Sequence, residues 1–135
     1  MQKITPSLLC VNELCGKAEE AIDHYTSIFK NSDVDGILKY GPNEEGPEGL
    51  VKHAQFTLEG EKFMIMDGPG EHDFNFNEGI SLVVNCETAD EVDYYWEKLN
   101  QDGDPNAQQC GWLKDKFGII RPSFSSSSNG VCPSI

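Results

Sequence analysis

The chain says one thing twice. Thr5 to Phe29 reads TPSLLCVNELCGKAEEAIDHYTSIF, and Gly79 to Leu99 reads GISLVVNCETADEVDYYWEKL. Each is a short apolar run, a polar break, and then a helical pattern that starts with alanine and two acids. Ile22, Tyr25 and Phe29 of the first segment match Val92, Tyr95 and Leu99 of the second in type and in spacing, one stripe of an amphipathic helix in each case. A chain of 135 residues built this way is expected to form one fold from two copies of a small strand-helix-strands unit, with a ligand cavity enclosed between the copies.

Between the repeated pieces the patterning shifts to a period of two. The expected order begins with a strand over residues 3–11 and a helix over 17–30, with Ala18, Ala21, Ile22, Tyr25, Ile28 and Phe29 inward. A strand over 36–40 then leads into GPNEEGPEG, a flexible acidic loop by its glycine and proline content. From His53 to Leu58 the residues alternate, with Ala54, Phe56 and Leu58 on one face and His53, Gln55 and Thr57 on the other. Gly60 turns the chain into a hairpin partner over 62–67. After a linker over 68–77, residues 80–86 are so continuously apolar that a strand buried on both sides is expected. Thr88 and Glu91 have the spacing of a capping box for the second helix, Val92, Tyr95, Trp96 and Leu99 form its inner stripe, and Gly103 is its stop. Short strands are expected near 108–109 and 112–115.

Composition excludes several classes of function. The formal charge of −13 would repel a phosphate backbone, so nucleic acid is not an expected partner. No apolar run approaches the length of a membrane span, and the first residues lack a signal peptide's pattern; a cytoplasmic protein with no membrane partner is expected. Cysteines at 10, 15, 86, 110 and 132 show neither metal-site nor redox-motif spacing, and read as buried thiols in a reducing compartment. All the acids precede Gly118, whereas residues 119–135 carry one charge, Arg121, and the serine-rich run SFSSSSNG.

The pieces ITPSLL, AEEAIDHYTSIF, KHAQFTLEGEKFMIMDG, FNEGISLVVNCET, EVDYYWEKL and CGWLKDKFG cover most of residues 3–118. In them the chain resembles the PhnB-like, or demethylubiquinone methyltransferase-like, branch of the glyoxalase/bleomycin-resistance (vicinal oxygen chelate, VOC) superfamily. The resemblance implies an α+β fold of two βαβββ modules, about 3–70 and 78–118 within a domain over 1–118, forming a curved mixed sheet around a concave pocket. It also implies a homodimer. It breaks at Ile119-Ile120-Arg121-Pro122-Ser123, where family members carry a strand like Val-Ser-Trp-Gln-Ile-Val-Pro; a shifted reading frame or another sequence change at about residue 119 is the expected origin of the tail over 119–135.

Metal-using members of that superfamily place His, Gln or Glu on the first and last strands of each unit. The matching positions here are about Thr5, Ile80 or Ser81, Phe63 or Met64, and Pro122, none a usual ligand, so no metal and no other cofactor is expected. Of the histidines, His24 belongs to the first helix, His72 lies in the linker, and only His53 shares the concave face with Gln55 and Thr57. His53 is the one candidate catalytic residue, as a general base. Neither a nucleophile elbow nor a phosphate-cradling or nucleotide-binding glycine turn is present, which counts against methyl transfer despite the branch's name. The expected function is metal-independent binding of a small organic molecule. Its lining is expected from Thr5, Ser7 and Leu9; His53, Gln55 and Thr57; Met64 and Met66; Ile80 and Leu82; and Trp112. The alternatives are a VOC-type lyase, isomerase or acid–base enzyme, and a drug-sequestering resistance protein.

Overall fold

The computed structural model describes residues 2–77, 79–103, 114–119 and 123–126. The chain divides into two compact units, Met1–Asn75 and Phe76–Ile135. The first unit holds β1 (Ser7–Val11), a 3-10 turn (Asn12–Leu14), α1 (Ala18–Ile28), β2 (Asp33–Lys39), β3 (Val51–Leu58) and β4 (Glu61–Gly68). This is the βαβββ order that the resemblance implies, in an α+β fold with a curved mixed sheet. The strands lie in the order β1-β4-β3-β2, with β1 parallel to β4 and the other pairs antiparallel.

The core is the helix-facing side of that sheet. Ala18, Ala21, Ile22, Tyr25 and Ile28 of α1 are buried, as are Val51, Ala54, Phe56 and Leu58 of β3 and Phe63 and Ile65 of β4. Fully burying one large side chain such as Phe56 or Ile22 stabilises the fold by about 1.5–3 kcal/mol. Phe56 and Phe63 are register partners, and their rings stack with centroids 5.5 Å apart. The β3–β4 hairpin turns on Glu59 and Gly60, both left-handed at φ 50° and 82°, as a tight two-residue turn between twisted strands requires.

One buried acid ties these layers together. Asp67, near the end of β4, is only 5% exposed. Its Oδ1 accepts from the backbone N–H of Gly16 at 2.8 Å and of Ala18 at 3.2 Å, and its Oδ2 from that of Val51 at 2.9 Å. Lys17, the N-cap of α1, makes no side-chain cap, so the carboxylate of Asp67 takes over that task from a different element. A negative charge there also meets the positive end of the helix dipole.

Several boundaries differ from the expectation, each for a physical reason. The first strand begins at Ser7 rather than residue 3, because Pro6 has no N–H to donate; its carbonyl still accepts from Met64 N at 2.9 Å. The second strand begins at Asp33, since it continues past a bulge between Val34 and Gly36. The loop over 41–49 is tied down: Glu44 accepts from Gly41 N at 3.0 Å and pairs with Lys52 Nζ at 2.8 Å, and that ammonium sits 5.6 Å from the Tyr40 ring centre. The linker is held by Asn12, which accepts from His72 N at 3.0 Å and donates to Phe74 O at 3.1 Å.

In the second unit the described elements are β5 (Val83–Cys86), α2 (Ala89–Asn100) and β6 (Ser123–Ser126). The Thr88 hydroxyl accepts from Glu91 N at 3.1 Å, the expected N-terminal cap, and Val92, Tyr95 and Leu99 are buried while Trp96 is half-buried. Gly103 follows the helix end for a different reason from the one expected. The left-handed residue is Asp102, at φ 58°, and a Cβ on Gly103 would fall 2.5 Å from the carbonyl oxygen of Lys114. The fifth strand is not buried on both sides: Ile80 is 80% and Val83 57% exposed, and β5 starts only at Val83. An apolar run shows that a segment can be buried, while the partners available decide whether it is. The atypical tail contributes β6, which runs parallel to β5 with Val83 opposite Ser123. That parallel pair matches β1 with β4 in the first unit. The strands expected near 108–109 and at 112–113 lie outside the described residues; Lys114 and Asp115 are not in a strand. Among the described residues no helix is long and apolar enough to cross a membrane.

Exchanging Asp67→Asn should test the tie between layers. An amide can accept on one atom only, and its NH2 group would face a backbone donor, so stability should fall by about 2–4 kcal/mol. Urea unfolding followed by circular dichroism would measure it; an unchanged midpoint would remove Asp67 from that role.

Candidate functional site

The face of the sheet turned away from α1 carries a different population of side chains. On β3, the buried residues Ala54, Phe56 and Leu58 alternate with His53, Gln55 and Thr57, so the latter three stand together on the helix-free face. Pairing adds their neighbours. Gln55 lies opposite Met64 of β4 and Gly36 of β2, Thr57 opposite Lys62, and His53 opposite Leu38. Ser7 and Leu9 of β1 lie beside Met64 and Met66. The bulge between Val34 and Gly36 leaves Asp35 out of the ladder and sends its side chain to the same face.

The face is divided by polarity. Toward β1 and β4 it offers Leu9, Met64 and Met66, all half-buried. Toward β2 and β3 it holds a polar network centred on one atom, Asp35 Oδ2. That oxygen accepts from the Thr57 hydroxyl at 2.7 Å and from Gln55 Nε2 at 3.5 Å, and lies 3.6 Å from Lys62 Nζ. Lys62 also donates to Thr57 at 3.4 Å. The Asp35 carboxyl is held below its ordinary pKa, first by the Thr57 hydroxyl; burial, next in size, opposes this, and Gln55 and Lys62 add to the lowering. An open recess of about 390 Å³ adjoins this network, lined by Asp35, Gly36, Ile37, Leu38, His53 and Gln55.

Seven of the expected lining residues therefore share one face: Ser7, Leu9, His53, Gln55, Thr57, Met64 and Met66. Thr5 stands ahead of β1, outside the ladder. Ile80 and Leu82 belong to the second unit and precede β5, and Trp112 lies outside the described residues. Asp35, Leu38 and Lys62 were not expected. Lys62 was available from the period of two that it shares with Met64 and Met66. Asp35 was not, since a bulge inside DVDGILK looks like a turn.

Other reactive groups are quiet. Burial pushes the Cys10 thiol up to about 12, with Asp67 adding to the effect, and burial pushes Cys86 up to about 11. Cys15 is also raised, first by burial. His24 lies half-buried in α1 with its ring 5.3 Å from that of Tyr25, and His72 pairs its Nε2 with Pro69 O at 3.1 Å. Divalent metal sites of this fold need several imidazoles or carboxylates in convergence. Among the described residues the helix-free face brings one imidazole, His53, and two carboxylates, Asp33 opposite Thr57 at the start of β2 and Asp35, which already serves Thr57 and Lys62. Among the described residues no group of three His, Cys, Asp or Glu is placed to hold a metal. The described residues do not assemble one.

Replacing Thr57→Val should raise the Asp35 pKa toward the ordinary carboxylate value, because it deletes the strongest bond to the ionised form. A carboxyl-carbon NMR titration would follow this; an unmoved Asp35 would show that Lys62 and Gln55 suffice.

Comparison with known proteins joins this geometry to a family. The model of a family described as 3-demethylubiquinone-9 3-methyltransferase matches residues 2–121. Among solved structures, the PhnB protein of Bacillus cereus, described as a 3-demethylubiquinone-9 3-methyltransferase, is 41% identical, with a TM-score of 0.77 over 92% of this chain and 100% of that one. Protein PA1353 of Pseudomonas aeruginosa is 17% identical, with a TM-score of 0.70 over 94% of this chain and 100% of that one. A FosX fosfomycin resistance protein of Listeria monocytogenes, complexed with Mn(II) and a dihydroxypropylphosphonic acid, is 12% identical, with a TM-score of 0.55 over 100% of this chain and 96% of that one. The last two likenesses concern the fold alone. No curated protein matches the chain.

Proposed function

The chain belongs to the 3-demethylubiquinone-9 3-methyltransferase family, the PhnB-like branch of the VOC superfamily, and on that footing we propose that it binds a small organic molecule on the helix-free face of its first sheet without a metal. The observation that carries this proposal is the division of that face. Leu9, Met64 and Met66 offer adaptable apolar surface, whereas Gln55, His53 and the Asp35 network offer directed hydrogen bonds beside an open recess. Few polar groups on an apolar ground is the usual composition of a small-molecule site.

A second reading has one observation in its favour. His53 lines the recess next to Gln55, where an imidazole could exchange a proton with a bound molecule. The protein would then be an acid–base enzyme rather than a binder or a sequestering resistance protein. Methyl transfer remains a name: the sequence has no glycine-rich strand-to-helix turn to hold a nucleotide cofactor. We place the protein in the cytoplasm as a homodimer. The free thiols Cys10, Cys15 and Cys86 accord with a reducing compartment, and the dimer with the family resemblance.

A thermal-shift panel of divalent metals and small organic compounds tests the proposal. At about a hundred times its dissociation constant a ligand adds about 2.7 kcal/mol, a shift of several degrees. A saturable shift with an organic compound is expected, lost in the double variant His53→Ala, Gln55→Ala, whose own melting temperature stays near that of the parent because both side chains stand outside the core. A saturable shift with Mn²⁺, Ni²⁺ or Zn²⁺ would overturn the metal-free proposal. Turnover of the compound, abolished by His53→Ala alone, would favour the enzyme.

A further inference from the structure

Resting on the binding proposal above, we infer that the recess selects a small organic ammonium, an amine protonated at neutral pH, with Asp35 as the acceptor of its N–H groups. The three side-chain contacts of Asp35, from Thr57, Gln55 and Lys62, all fall on Oδ2. They fix the carboxylate from one side and leave Oδ1 without a side-chain partner among the described residues. A carboxylate can accept on both oxygens, so the second remains available to a ligand in the recess that Asp35 lines.

The surroundings discriminate between ligand charges. Lys62 stands 3.6 Å from Oδ2 and so faces the network rather than the recess, whose lining among the described residues is Asp35, Gly36, Ile37, Leu38, His53 and Gln55, with no lysine or arginine. An anion entering it would meet the carboxylate without a lining cation to offset it. A neutral alcohol would gain one hydrogen bond. An ammonium adds to the hydrogen bond the attraction of its full positive charge for the carboxylate, and can place its apolar body against Leu38, which lies opposite His53 and is 56% exposed. The formal charge of −13 raises the local concentration of any cation, but it does so over the whole surface and gives no preference for this recess.

Isothermal titration with 2-phenylethylammonium chloride and with its neutral analogue 2-phenylethanol, at one ionic strength near physiological, tests the inference. The ammonium should bind about tenfold or more tightly than the alcohol, the ratio expected when the donor to a carboxylate carries a full opposite charge at a partly exposed site. Asp35→Asn, which keeps an oxygen for Thr57, should erase that preference. Glu45→Gln, the same change of charge in the β2–β3 loop, should leave it intact. Equal binding of the two compounds, full ammonium binding by Asp35→Asn, or equal losses in both variants would overturn the inference. A neutral or anionic compound bound in a manner sensitive to His53→Ala, Gln55→Ala would overturn it while sparing the binding proposal. If no compound of any charge binds, both fall.

Discussion

The first unit depends on a carboxylate that is almost wholly hidden from solvent. Asp67 carries a charge in the layer between sheet and helix, where an unpaired ion would be strongly destabilising. It is tolerated because three backbone donors from three places in the chain converge on it: Gly16, Ala18 and Val51. The chain before α1, the first turn of α1 and the first residue of β3 are thereby fixed relative to the end of β4. Apolar packing holds α1 against the sheet, but packing alone lets a helix slide along its ridges. Hydrogen bonds to one point do not.

That fixation sets the site. Once β3 is anchored at Val51, the pleat decides the face of every later residue, and a slip of one position would exchange Gln55 and Thr57 for Phe56 and Leu58. Register with β4 brings up Met64 and Lys62, and the bulge in β2 adds an acid that a regular ladder would have turned elsewhere. The Asp35 network thus assembles from three strands, and each bond in it tests the registration of two of them.

Much of this was legible in the residues. The duplicated strand-helix segments, the inner stripe of α1 and the alternation from His53 to Leu58 all follow from periodicity, which local sequence carries directly. That seven of the expected residues share one face follows from the same alternation, while only His53 and Gln55 of them line the recess. Asp35 did not, because the bulge arises from pairing with β3 and has no local signature in DVDGILK. Asp67 did not either: an acid at the end of an apolar strand resembles any strand terminus until the helix start that needs it is in place. Ile80 and Val83 misled in the opposite sense, since their apolar character was plain while the covering it implied belongs to tertiary structure. The serine-rich run concealed β6 by offering no apolar pattern, although backbone pairing with β5 does not require one.

The interleaving of β3 has a consequence for how such a protein can change over generations. Its odd-numbered residues from His53 to Thr57 and its even-numbered residues from Ala54 to Leu58 answer to different demands, one to solvent and any guest, the other to the hydrophobic layer. Substitutions in the first set leave the second untouched, so selectivity can drift through steps that are nearly neutral for folding. A lineage built on this sheet can rewrite one of its faces while inheriting its architecture unaltered.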